Sequence, residues 1–465
     1  MRILYKLITI SVFFLPYFSS AQIIAGGGYQ SYAICNDQTL KAWGSNGSGQ
    51  LGNGGYGNSS APVSVISLTG VTAIATGEGH ALALKNDGTV WAWGNNSFGQ
   101  IGDETNFGIN VPTQVIGLTG ITAIAVGGLH SFALKNDSTV WAWGWNNYGQ
   151  LGIGSNVDNI NIAVQLTSLT GIVALAAGYH HSLALKSDGT VWTWGGNERG
   201  QLGDPTSTGR GVPMLVPGLT DVTAIAAGNA HSFAIKSDGT VWAWGYNQYG
   251  QLGIGSNIDS YAPTQVIGLS GIVDLAVGGV HSLAVRNDGT LWAWGYNNYG
   301  RLGDGTTNDS YFPIQLYSLA GVSAVGAGVD HSLAIKYDGT AWAWGRNYEG
   351  QLGNGTQNDK TIPTKVTGLC QTATAVTAVH PTFKIANVYP NPIQDNINFE
   401  FSVSENTSIK ISVMDLLGNI VETEKKQLKA GTNQIKINTD YLSQGVYVLS
   451  IGSQKQQTQV KFVKE

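Results

Sequence analysis

The chain has 465 residues, including 64 Gly and 14 Trp, with 42% hydrophobic and only 11% charged residues and a formal net charge of −5. A hydrophobic share this high with so little charge excludes a disordered polyelectrolyte, and the length is ample for one large domain plus a smaller one. The acidic balance, with no basic run, excludes a chain built to grip phosphate backbones, so no nucleic-acid partner is expected.

Residues 1–21 match a secretory signal peptide. Arg2 and Lys6 form a short basic region, Leu7 to Phe18 an apolar run too short to span a bilayer, and Ser19 and Ala21 the small residues of a cleavage site. Cleavage is expected after Ala21. Gln22 rather than Cys follows the cut, so no lipid anchor is expected there. No later segment is apolar enough to cross a membrane, which predicts no transmembrane segment in the mature chain.

From residue 22 to residue 370 one unit is copied seven times. It is clearest from His181 to Gly203, HSLALKSDGTVWTWGGNERGQLG, and its Trp-Gly recurs at Trp43, Trp93, Trp143, Trp194, Trp244, Trp294 and Trp344, spaced by 50 or 51 residues. So regular a period means a repeat array. Asp188-Gly189 predicts a two-residue hairpin turn that pairs Leu185 with Trp192 and Leu183 with Trp194. Alternation then puts Leu183, Leu185, Trp192 and Trp194 on one face and the small Ala184 and Thr193 on the other. Sheets bulky on one face and small on the other nest radially. The predicted fold is therefore all-β, a seven-bladed β-propeller over residues 22–370.

The first copy is degenerate. Gln30 stands where later copies have His80, His130, His181, His231, His281 and His331, Lys41 replaces the first Trp, and Gln38 replaces the turn Gly. Most later copies are preceded by a Pro-x-x-Val segment, such as Pro112 to Val115 or Pro263 to Val266, and a last one, Pro363 to Val366, follows the seventh copy. The expected closure pairs this C-terminal strand with the first blade. Aligned on the repeat, Cys35 takes the position of Lys135 and Cys370 that of Thr119, so closing the ring sets the two side by side. In an oxidising compartment a Cys35–Cys370 disulfide is expected.

Residues 371–386, rich in Ala and Thr, read as a linker. Beyond Asn387 Trp disappears, Lys rises, and alternating strands are predicted at 396–403, 409–414, 434–438, 446–451 and 459–463. These five strands, punctuated by Pro and Gly, predict a small antiparallel β-sandwich over 387–465. The repeat region holds 13 basic against 21 acidic side chains, net −8, while the last 79 residues hold eight of each.

The motifs HSLAL, DGTVWAWG and GQLG, recurring in that order, resemble the regulator of chromosome condensation repeat, a family of seven-bladed propellers. Nucleotide exchange on a nuclear GTPase, one activity of that family, is disfavoured by the export signal and the acidic propeller. The plant ultraviolet photoreceptor of the family carries Gly-Trp-Arg-His-Thr, whereas the matching positions here, among them Tyr179-His180, Asn229-Ala230 and Val329-Asp330, lack Trp and Arg. The Ala-Ile-Ala-x-Gly and Trp-Gly-x-Asn segments also resemble those of a secreted bacterial propeller that inhibits β-lactamases, a resemblance that implies protein binding without fixing a target. The C-terminal residues Tyr389-Pro390-Asn391-Pro392, Asp415-Leu416-Leu417-Gly418, Leu442 to Tyr447 and Val460 to Lys464 resemble the sorting domain of the type IX secretion system. That resemblance implies engagement of the type IX machinery by residues 387–465. It further implies passage through the periplasm to the outer-membrane surface or the medium.

No nucleophile, metal or phosphate-binding motif stands out, so no catalytic residue, metal ligand or cofactor is assigned. The repeated His is expected to make a turn-stabilising hydrogen bond in each blade, since copies related by rotation lie too far apart to share a metal. Asn46, Asn96, Asn146, Asn197, Asn247, Asn297 and Asn347 follow each Trp-Gly at one fixed place, as a turn requires. Their neighbours vary: Trp145, Tyr148, Tyr246, Tyr249, Tyr296 and Tyr299 give blades three, five and six a paratope-like set of rings, the expected partner-binding residues. The competing reading packs these rings between neighbouring turns. The expected function is a secreted or surface-exposed scaffold that binds an extracellular protein or glycan. The alternatives are a secreted hydrolase or lyase with its site on one propeller face, and a passive surface-layer component.

Overall fold

The computed structural model describes residues 21–155, 157–370, 385–389, 394–403, 406–414, 420–452 and 457–464. The expected signal peptide and linker fall almost wholly outside these residues, as do Pro390-Asn391-Pro392 and Asp415-Leu416-Leu417-Gly418. The chain divides into two units, 1–371 and 372–465.

The first unit holds seven four-stranded antiparallel sheets, each made of four consecutive strands: blade 1 over 21–64, then 71–114, 121–166, 172–215, 222–265, 272–320 and 322–365. Blade 4 shows the pattern with Ile172–Ala177, His181–Lys186, Val191–Gly195 and Arg210–Leu215. A one-residue difference in the hairpin changes which side chains share a face. Leu183 pairs with Thr193, Ala184 with Trp192, and Ser182 with Trp194. Lys186 and Thr190 close a three-residue loop. Only Gly189 within it takes a positive φ (+80°), and Asp188 Oδ1 accepts from both the amide and the hydroxyl of Thr190 (3.0 and 2.6 Å). A type I turn followed by one left-handed residue satisfies Asp-Gly as well as the expected two-residue turn, and the register slips by one.

Leu183, Leu185 and Val191 therefore form one face of blade 4, and both indoles lie on the other. The leucine face packs on Ala234, Trp242 and Trp244 of blade 5. In the same way Phe132, Leu134 and Val140 of blade 3 meet Ala184, Trp192 and Trp194 of blade 4. Each interface thus sets an aliphatic face against its neighbour's indoles, instead of tucking indoles beneath alanines.

Closure also differs from the expectation. The strand Lys360–Lys365 pairs with Ala341–Gly345 in its own blade, and Ala21–Gly26 pairs with Gln30–Cys35, so no strand is exchanged between first and last blades. Each Pro-x-x-Val segment is the outer strand of the blade before it. The ring closes face to face, with Leu333, Ile335 and Ala343 of blade 7 against Ala33 and Trp43 of blade 1. Cys35 and Cys370 are disulfide-bonded across this seam, Cα atoms 5.5 Å apart and 335 residues apart in sequence.

The second unit is two antiparallel sheets. One orders Ile385–Tyr389, Asn396–Val403 and Gly431–Asn438; the other orders Ile420–Leu428, Thr407–Met414, Gly445–Gly452 and Gln457–Lys464. Between them lies an apolar core that includes Ile397, Phe399, Ile411, Val413, Ile435, Leu449 and Ile451. Two of these strands escape the sequence pattern. Ile385–Tyr389 begins inside the segment expected to be linker, and Ile420–Leu428, IVETEKKQL, is exposed along most of its length and so carries no alternation.

Candidate functional site

In every blade the loop before the His strand and the Trp-Gly-x-Asn…Gly-Gln-Leu-Gly loop emerge on the same side of the wheel. The second loop is held rigid by its Asn. Asn247 Oδ1 accepts from the Leu252 amide (3.0 Å), while its Nδ2 donates to the carbonyls of Ser256 and Ile258 (2.9 and 3.0 Å). Gln251 Oε1 accepts from the Tyr249 amide (3.0 Å), and its main-chain carbonyl accepts from Trp294 Nε1 and Ser282 Oγ of the next blade (2.9 and 3.0 Å). The indole bond recurs at all seven interfaces, including Trp43 to Gln351 across the closure (2.9 Å). The repeated motifs are thus devices for joining blades.

Five of the six repeated His also join blades rather than stabilising their own turn, while His231 Nε2 has no hydrogen-bond partner among the described residues. His80 Nε2 lies 3.1 Å from Ser131 Oγ of the next blade, and that hydroxyl donates to Gln100 O (2.9 Å). The serine proton is committed, so the ring must donate from Nε2, and Nδ1 is left as a bare acceptor. The equivalent links include His331 to Ser31 across the closure (2.7 Å). Burial pushes His80, His130, His181 and His231 down to about 3 and His331 to about 4, and holds His281 well below its usual value. Where blade 1 has Gln30, blade 2 has Ala81 in place of the Ser, and Gln30 Nε2 donates to Gly77 O instead (2.9 Å). Among the described residues no cluster of His, Cys, Asp or Glu could hold a metal.

Above this frame the varied residues form an arc of rings. Trp145 packs edge-on against Tyr148 (centroids 5.5 Å apart) and His180 (5.1 Å), and Tyr148 stacks on His180 at 4.3 Å. Tyr246 meets Tyr249 at 6.1 Å, and Tyr249 meets Tyr296 at 4.3 Å. Five of the six expected rings are half-buried, and Tyr148 is 38% exposed. The rings therefore pack between turns and still present edges to solvent. The structure brings Tyr246, Tyr249 and Tyr296 into one contiguous group, with Trp145 and Tyr148 in a second around His180.

The arc ends in a cluster that the sequence reading did not assign. Arg301, where most blades have Gln, is 1% exposed and bonds Asp330 Oδ1 (2.8 Å). Arg346 reaches Oδ2 of the same carboxylate (3.1 Å). The Arg301 guanidinium lies 4.6 Å from the centroid of Tyr296 and 5.7 Å from that of Tyr299, while Arg346 lies over Tyr29 (4.6 Å) and Tyr299 (5.5 Å). The signal was legible: Gly300-Arg301-Leu302-Gly303 breaks Gly-Gln-Leu-Gly, and Arg346 and Asp330 are equally out of pattern.

The axial channel opens among these loops. Its wall is mainly glycine and small aliphatic residues, and it encloses about 110 Å³, room for a handful of waters. Tyr179 of blade 4 donates to Glu78 of blade 2 (2.6 Å), and burial followed by this carboxylate raises the phenol's pKa. The channel is too small for a sugar or a peptide.

Matches to known families fall on these two units. The RCC1-like domain matches residues 159–382, and the regulator of chromosome condensation (RCC1) repeat matches 41–84, 71–100, 87–134 and 121–150. The secretion system C-terminal sorting domain matches 387–465. The chain carries an RCC1-repeat propeller and a type IX sorting domain. Among solved structures the RCC1 propeller is similar to Prp20p from Saccharomyces cerevisiae, described with its binding to Gsp1p and histones. That similarity has a TM-score of 0.65 and 27% identity, over 72% of this chain and 86% of Prp20p. Human WBSCR16 is similar at a TM-score of 0.62 and 28% identity, over 69% of this chain and 87% of that one. The human and mouse E3 ubiquitin-protein ligase HERC2 are each 39% identical over 61 residues, so the chain spans 1% of the length of these curated relatives. The sorting domain implies a protein that is secreted or attached at the outer membrane. No helix among the described residues is long and apolar enough to cross a membrane.

Proposed function

We propose that the RCC1 propeller is an extracellular binding scaffold whose loop face captures a protein or glycan. On this reading residues 1–21 direct export to the periplasm, residues 387–465 hand the chain to the type IX machinery, and the propeller is released or held at the surface. The observation that carries it is the arc of half-exposed rings, Trp145, Tyr148, Tyr246, Tyr249, Tyr296 and Tyr299, fixed on turns that the Asn braces make rigid. Rigid aromatic side chains supply contact area at little conformational cost. The Cys35–Cys370 bond across the closure suits a chain that works in an oxidising medium.

A hydrolase or lyase on the same face rests on Glu78 and Tyr179 at the channel mouth. It stands second, because that carboxylate is already engaged by the phenol. To test the scaffold, immobilised propeller is presented with fractionated extracellular proteins and surface polysaccharides from culture. Trp145→Ala with Tyr148→Ala should weaken capture of the bound fraction at least tenfold without lowering the melting temperature. An unchanged profile would overturn the reading.

A further inference from the structure

At Arg301 the chain gives up features that its other blades keep. Gln251 and Gln351 each brace the amide two residues before them through Oε1. Arg301 has no acceptor to offer, and Tyr299 sits at a positive φ of +69°. A guanidinium is buried in exchange, a step that costs free energy unless it is paired and is a poor route to stability even when it is. Asp330 supplies the pairing but is shared, with one oxygen on Arg301 and the other on Arg346. Two cations against one carboxylate leave the cluster with net charge +1 on a propeller whose own net charge is −8. Arg346 is the accessible member, with 26% of its side chain exposed. Its Nη1 is bonded to Asp330, and among the described residues its other nitrogens have no protein partner. Tyr29 and Tyr299 lie within cation–π distance of its guanidinium, at 4.6 and 5.5 Å. A planar fork with nitrogens left over from Asp330 matches a carboxylate in two-point contact.

We propose that Arg346, held by Asp330 beside Arg301 and flanked by Tyr29 and Tyr299, is a subsite for the single carboxylate of an acidic sugar, a hexuronate or similar monoacid. The assignment rests on the scaffold reading above and narrows its ligand. A small positive cluster on an acidic propeller favours one carboxylate over a polyacidic strand, because further negative charges would be repelled by the surrounding acidic side chains. The surrounding rings suit the carbon-hydrogen faces of a pyranose better than they suit an extended acidic side chain.

The probes are galacturonate, galactose and a Gly-Glu-Gly peptide, titrated onto the full chain by ligand-observed NMR at low and high salt. Galacturonate should bind at least about tenfold more tightly than galactose and than the peptide. Arg346→Gln should remove that preference with the near-ultraviolet circular dichroism unchanged. Arg346→Lys, which keeps the charge and loses the fork, should restore only part of it. Equal binding of galactose, equal binding of the peptide, or an Arg346→Gln protein that still prefers galacturonate would each overturn the assignment. Capture that fails in Trp145→Ala with Tyr148→Ala but ignores Arg346 would leave the scaffold standing without this subsite. If the wild-type chain binds none of the probes, the subsite falls and the scaffold is judged by its own capture experiment.

Discussion

Lowering the pH from 7.5 to 5 is expected to destabilise the propeller steeply through the six buried histidines of its repeat. Each ring is buried and neutral, with a folded-state pKa of about 3 at four positions and about 4 at His331, while His281 is likewise pushed far down. An unfolded histidine titrates at about 6.5. Because folding lowers these values, the stabilisation is fully present above pH 6.5 and is lost as the pH falls towards 3. At pH 5 each unfolded ring holds a proton that the folded ring refuses, worth about 2 kcal/mol. Six rings give about 12 kcal/mol, as large as the whole stability of an ordinary domain. The turn aspartates such as Asp87, held low by the Thr89 hydroxyl, act only at lower pH, and Asp274, raised by burial, acts in the opposite sense. Urea unfolding followed by Trp fluorescence at pH 7.5, 6.5, 5.5 and 5 reads the effect directly. His181→Gln, which copies the natural Gln30, should remove about one proton from the uptake and lessen the slope by about 1.4 kcal/mol per pH unit. An unfolding free energy that moves by less than about 2 kcal/mol between pH 7.5 and 5 would refute the reasoning. So would ring proton resonances titrating near 6.5 in the folded chain.

Three further expectations concern the frame. Denatured without reductant, the chain should titrate with no free thiol and with two after reduction; Cys370→Ser should lower the unfolding free energy by up to about 6 kcal/mol, the chain-entropy value for a loop of 335 residues. Gly203→Ala and Gly218→Ala both force a side chain into a positive φ, +71° and +73°, but a methyl at Gly203 would stand 2.9 Å from Trp244 Nε1 while one at Gly218 meets open space. Gly218→Ala should therefore cost about 1–2 kcal/mol in urea unfolding and Gly203→Ala roughly 1–3 kcal/mol more. Asn247→Ala strips the brace from the Leu252 amide and the carbonyls of Ser256 and Ile258, and should cost about 3 kcal/mol with a lower thermal midpoint.

What the sequence could and could not reveal divides along physical lines. Period is a property of the chain, so seven blades and a following sandwich were legible from the Trp-Gly spacing and the loss of Trp after Asn387. Register was not, because Asp-Gly serves a two-residue and a three-residue loop equally well, and one residue decides whether Trp194 lies with Leu183 or with Ala184. Closure was misread for a related reason: Pro363 to Val366 looks like a missing first strand only if each Pro-x-x-Val segment opens a blade, and Ser59–Ser64 pairing with Leu40–Gly44 shows that it ends one. For the face, comparing the variable positions after Trp-Gly found the rings but not the charges, since Arg301 lies in a motif whose other copies serve only the frame. In a repeat protein such a substitution is informative because the remaining copies state what the frame alone requires. Gln meets that requirement in six blades; in the remaining one the Arg301 guanidinium donates to the carbonyls of Asn298 and Val329 and pairs with Asp330, which it shares with Arg346, so the departure is centred between blades 6, 7 and 1.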